Sequence, residues 1–203
     1  MTGDEFARPG GREPLRVSGV AVHPPLTERQ AGRLAPLGLL ADDPVGLRAA
    51  WAQIKDMWRL TVERAMRLPP TLLDERVDGE WSFLETLRHL VFVSDGWVGE
   101  VVLEDVPPYE PLGMPPDFVT NGAEMGLDLG AKPGADVVRA RRDLSMARVG
   151  RVIDSLNESD LSRTCAPKGG QWTVLGALQV VIFEEWAHNQ YAVRDLARLE
   201  GSA

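Results

Sequence analysis

Phe183-Glu184-Glu185-Trp186-Ala187-His188-Asn189-Gln190-Tyr191-Ala192-Val193-Arg194-Asp195-Leu196 closes an apolar run that begins at Val174. It reads as the late part of one helix, and the rest of the chain is organised around it. Glu184 and His188 are four apart, so they share a helix face, about 6 Å apart along the axis. Two such polar side chains in an apolar helix are costly unless something satisfies them. A divalent metal does so, and it needs a third ligand. His89 is the best candidate. It lies in Trp81-Ser82-Phe83-Leu84-Glu85-Thr86-Leu87-Arg88-His89-Leu90-Val91, which also reads as a buried helix. The candidate site is therefore His89, Glu184 and His188.

The totals bound what such a site can belong to. The 203 residues are 44% hydrophobic, which suits one domain with a substantial core. A net charge of −8 argues against nucleic acid or an anionic membrane as partner. The single cysteine, Cys165, forbids an internal disulfide and points to a reducing compartment, so a cytoplasmic location is expected. No 18-residue apolar run is present, so no membrane span is expected. Residues 1–14 lack the pattern of a signal peptide.

Residues 1–40 are rich in Pro and Gly and read as a largely irregular N-terminal arm, docked through Leu34, Leu37, Leu39 and Leu40. His23, before two prolines, reads as a solvated histidine in extended chain. From residue 41 to 203 the pattern is helical. Asp43-Pro44 marks a helix start, an N-cap followed by a proline suited to the first turn. Leu47, Trp51, Ile54, Trp58, Thr61 or Val62, and Ala65 then form a core-facing stripe, and Pro69-Pro70 ends it.

A second helix opens on the capping box Ser82-Phe83-Leu84-Glu85 and runs to about residue 103, with Asp95 and Glu100 on its wetter side. Residues 104–133, dense in Pro and Gly, read as a long loop that serves as lid, ligand contact or core cover. A third helix over residues 135–156 carries a weaker stripe: Val138, Arg141 or Arg142, Ser145, Val149, Val152 and Leu156. Arg139, Arg141 and Arg142 read as a solvated face in preference to an anion site. Cys165 reads as structural, with no activating partner evident. A fourth helix is capped by Thr173 and runs to about residue 199. Its start, Gly170-Gln171-Trp172-Thr173-x-Leu175-x-x-Leu178, echoes Gly79-Glu80-Trp81-Ser82-x-Leu84-x-x-Leu87. Helices two and four thus read as a matched pair, each donating ligands in an all-α four-helix bundle with a long loop between helices two and three.

Two imidazoles and a carboxylate leave a tetrahedral Zn²⁺ one open position, the arrangement of catalytic sites. Zinc then makes water or a thiol nucleophilic. The set also suits Fe(II), and Ni²⁺ is an alternative. The register stays open at this level, because Glu185 and His188, three apart, also converge. A di-iron bundle requires a second Glu-x-x-His motif that the chain lacks. The rival without a metal makes His89 and His188 core histidines bonded to carboxylates.

Three segments together resemble the DinB-like superfamily in its actinobacterial branch. They are Trp81-Ser82-x-x-Glu85-Thr86-Leu87-Arg88-His89-Leu90, Gly126-Leu127-Asp128-Leu129-Gly130-Ala131-Lys132-Pro133, and Glu184-Glu185-Trp186-x-His188-x-x-Tyr191-Ala192-Val193-Arg194-Asp195-Leu196. That superfamily includes YfiT-like metal-dependent hydrolases and mycothiol-dependent maleylpyruvate isomerases. The resemblance covers about residues 43–199. It implies an up-down-down-up bundle with a metal triad at one end, its first ligand at His89 and the other two at positions 184 and 188. The usual histidine at the first of that pair is Glu184 here, as in the isomerase group. This implies Glu184 over Glu185 and favours zinc over nickel. It also implies chemistry on a small-molecule substrate with a low-molecular-weight thiol such as mycothiol. Thiol transfer or isomerisation is the leading expectation and metal-dependent hydrolysis the next. The third is a non-catalytic metal- or ligand-binding module, with the long loop against a partner in a homodimer. Tyr191, nearly a turn past His188, is placed to bring a hydroxyl to the metal or to bond to backbone. Arg194 is a candidate for binding a carboxylate of thiol or substrate, with a salt bridge to Asp195 as the plainer role.

Overall fold

The computed structural model describes residues 15–17, 20–22, 26–105, 109–165 and 171–202. His23, Gly170 and the start of the arm lie outside them. The short strands β1 (Leu15–Val17) and β2 (Val20–Val22) pair antiparallel. Within the arm expected to be irregular, Thr27 caps α1 (Glu28–Leu34) through a capping box with Gln30. A 3₁₀ turn (Ala35–Leu37) follows, ending on Gly38 with φ +69°, a left-handed position that glycine takes at little cost. That turn sends Leu34 and Leu39 into the core and leaves Leu37 45% exposed.

Four long helices form the bundle, and their starts obey the capping chemistry. α2 (Pro44–Ala65) begins where Asp43 accepts from the N–H groups of Val45 and Gly46, and it buries Leu47, Trp51, Ile54, Trp58, Thr61 and Ala65 as the stripe requires. α3 (Phe83–Ser94) begins at the Ser82–Glu85 capping box. α4 spans Ala135–Ser155. After the single turn α5 (Glu158–Leu161), strands β3 (Thr164–Cys165) and β4 (Trp172–Thr173) pair antiparallel and feed α6 (Val174–Ser202). Thr173 Oγ1 accepts from Gly176 N at 3.0 Å, matching Ser82 Oγ and Glu85 N at 3.2 Å. The echo between the two segments is thus a shared way of entering a helix.

Each bundle helix packs on two neighbours: α3 on α4 and α6, α2 on α4 and α6. The α3–α6 and α2–α4 pairs are therefore opposite sides of a square, and α4 and α6 sit at opposite corners. The architecture is the expected all-α four-helix bundle. Among the described residues, no helix is long and apolar enough to cross a membrane.

Three local expectations are corrected. α3 does not continue regularly to residue 103; Asp95–Val102 is π-helical, closed by Leu103 N to Val98 O at 3.0 Å. The wider winding turns Glu100 inward, where it is buried and accepts from the Tyr109 hydroxyl. Arg142 is not solvated but 3% exposed and paired with Glu185, since α4 presents that position to the core. The described residues 109–133 of the long loop pack on themselves. Tyr109, Val119, Met125 and Leu127 form a small core of their own against Phe92. Cys165 is fully buried, and burial pushes its thiol up despite Arg163 nearby.

Candidate metal centre

α3 and α6 lie side by side and bring the three expected ligands together. One ligand atom each from His89, Glu184 and His188 lies within 4.8 Å of the others. His188 Nε2 is 3.2 Å from Glu184 Oε2, and the His89 and His188 ring centroids are 4.8 Å apart. His89 is 6% and His188 7% exposed, while Glu184 is half-buried. Glu185 is turned away into the core, 0% exposed, with its carboxylate on Arg142. A step of one residue is about 100° around a helix, so neighbouring glutamates serve different places.

The loop sets the orientation of His89. Its Nδ1 lies 3.0 Å from the Met114 carbonyl. A carbonyl only accepts, so Nδ1 carries the proton and Nε2 keeps its lone pair. Arg88, the preceding residue, grips the same loop. Its Nε donates to Leu112 O at 2.8 Å and its Nη1 to Ala131 O at 2.9 Å, while Met114 N donates to Arg88 O at 3.1 Å. The far side of the loop is pinned where Glu110 N donates to Asp95 at 2.9 Å and Tyr109 to Glu100.

The surroundings keep the histidine neutral. Burial, and then His188 beside it, pushes the His89 imidazole from 6.5 down to about 3, against the opposing pull of Glu184. The Trp81 ring covers both imidazoles, with centroids 4.4 Å from His89 and 6.0 Å from His188. Tyr191 stands edge-on to His188 at 5.9 Å. The Arg194 guanidinium lies 5.3 Å from the Tyr191 ring centroid and is engaged by Asp195, with Nε to Oδ1 at 2.7 Å, and by Glu80. Sequence reasoning missed Trp81, Arg88 and the Met114 carbonyl as parts of the site. Trp81 was visible in the repeated Trp-Ser/Thr entry. A backbone carbonyl has no sequence signature.

A neutral His89 held by a backbone carbonyl, with a second imidazole and one carboxylate beside it, is a donor set for a single divalent ion. The remaining ring N–H of His89 is already tied back to the protein, as in metal sites.

The family model of the DinB superfamily matches residues 53–192, the span that holds all three candidate ligands. A crystal structure of a Streptococcus pneumoniae protein from a structural genomics programme shares the fold, with a TM-score of 0.53 at 15% identity, covering 76% of this chain and 90% of that one. No curated protein matches the sequence.

Proposed function

The chain belongs to the DinB superfamily, and on that premise we propose that it is a metal-dependent enzyme whose His89, Glu184 and His188 hold one divalent ion, zinc before iron or nickel. Its reaction is the transfer of a low-molecular-weight thiol of the mycothiol type to a small electrophilic substrate, or an isomerisation that uses such a thiol as cofactor. The observation that carries the metal reading is the His89 Nδ1–Met114 bond. Its direction leaves the Nε2 lone pair available for a ligand, beside Glu184 and His188, whose ligand atoms converge with those of His89. Glu184 at a position usually taken by histidine in this family supports the thiol chemistry.

A zinc ion held there supplies Lewis acidity, which makes a thiol nucleophilic near neutral pH. The protein's own residues do the rest. The Met114 carbonyl holds His89 in one tautomer, and Trp81 and Phe92 shield its ring from water. With Asp195 and Glu80 on its guanidinium, Arg194 anchors Tyr191 and is not poised to take a substrate carboxylate.

Elemental analysis of the wild type beside His89→Ala and His188→Ala tests the site. Near-stoichiometric zinc is expected in wild type and none in the two variants, with helical circular dichroism retained in all three. A wild type that stays free of metal after reconstitution removes the proposal. The thiol is tested separately on cobalt-substituted protein. Mycothiol is expected to change its visible spectrum; a spectrum indifferent to every cellular thiol, with ester or amide turnover in their absence, moves the reading to hydrolysis.

A further inference from the structure

α6 presents one stripe to the centre of the bundle. Leu178, Ile182, Glu185, Asn189, Ala192 and Leu196 recur at alternating steps of four and three, and all are buried. The two middle positions are polar. Each stands immediately after a candidate ligand, Glu185 after Glu184 and Asn189 after His188. Ligands and polar residues are thus two parallel rows on one helix, about 100° apart.

Each polar residue is bonded to a different helix. Arg142 of α4 donates through Nη2 to Glu185, across the diagonal of the square. Asn189 Nδ2 donates to Thr61 Oγ1 of α2 at 2.9 Å, and that hydroxyl donates on to the Met57 carbonyl at 3.0 Å. None of Thr61, Arg142, Glu185 and Asn189 is more than 4% exposed.

Apolar contact is non-directional and holds the rotation of a helix loosely, whereas a hydrogen bond fixes direction. A turn of α6 by one residue would break both bonds and carry Glu184 and His188 away from His89. Polar groups in the core stripe of a helical assembly cost stability against apolar residues, and their best-attested use is to fix register. We propose that Arg142–Glu185 and Thr61–Asn189 are positioning pairs that lock the rotation of α6 so that Glu184 and His188 face His89. The proposal rests on the metal reading of those three residues and gives a part in the site to four residues outside the ligand set.

The full chain is compared with two variants that make a pair apolar at similar size, Arg142→Met with Glu185→Leu and Thr61→Val with Asn189→Leu. Both partners change together, so that neither is left buried alone. Competition with a chromogenic chelator measures zinc affinity. The visible spectrum of the cobalt form reports ligand geometry, and the thermal midpoint of the metal-free form reports stability. Each folded variant is expected to bind zinc at least tenfold more weakly than wild type, with an altered cobalt spectrum and a metal-free midpoint equal to or above that of wild type. Thr61→Ser, which keeps the hydroxyl, is expected to retain wild-type affinity. An affinity within about threefold of wild type in either folded variant, or a weakened affinity that comes with a lowered midpoint, overturns the proposal and leaves the metal site standing. A wild type that takes no zinc removes the metal reading itself, and this proposal with it. Where one variant fails to fold, the other decides.

Discussion

Arg88 and His89 are adjacent in sequence and hold the same loop by different means, one by its guanidinium and one by its ring. Arg88 touches no candidate ligand atom, so its part is to position the Met114 carbonyl. Arg88→Met should therefore weaken zinc about 10- to 100-fold, the usual cost of losing a supporting interaction at a metal site. Competition with a chromogenic chelator measures it, with the thermal midpoint of the metal-free form as control. Unchanged affinity would make Arg88 a loop anchor and nothing more. His89 and His188 were legible as a pair because each sits in an apolar run. Glu184 was not separable from Glu185 by spacing. The helix rotation that sends one to His188 and the other to Arg142 depends on packing against α3 and α4.

At the scale of elements, the capping box that starts α3 also sets the register of His89, two turns along. Glu85 accepts from Ser82 N at 2.9 Å and pairs with Arg76 at 2.7 Å. Burial pushes its carboxyl up, but the Arg76 bond and the Ser82 N–H outweigh that and hold it below the usual carboxylate range. A folded pKa below the unfolded one contributes stability above the unfolded value, and that contribution fades as pH falls through the folded value. Urea midpoints of wild type should thus drop below about pH 4.5 more steeply than those of Glu85→Gln. Ser82→Ala should cost about 1 kcal/mol at neutral pH. Equal pH profiles for wild type and Glu85→Gln would refute the assignment. The helix starts were readable because capping is local chemistry. The π-helical segment was not, since the inward turn of Glu100 answers Tyr109 on a loop nine residues later.

For the molecule as a whole, the proposed metal ties two helices and the loop into one unit. Zinc that binds the folded chain alone should stabilise it by about 2.7 kcal/mol at a hundredfold excess over Kd. Thermal midpoints should then rise with zinc in wild type and stay flat in His188→Ala. A parallel rise in both would mean that zinc binds elsewhere. The bundle also explains how a weak stripe folds: α4 packs between two more apolar neighbours and needs fewer large side chains of its own.

By itself the sequence determined the four bundle helices, their caps, the apolar stripe of α2 and the set of residues from which metal ligands could be drawn. These follow from interactions within a few residues: helix periodicity, capping and the avoidance of buried polar groups. The tertiary structure alone decided the Met114 carbonyl on His89 and the burial of Glu100 and Arg142. Each of these depends on groups far apart in the chain, whose meeting is set by how the helices pack and not by any local pattern.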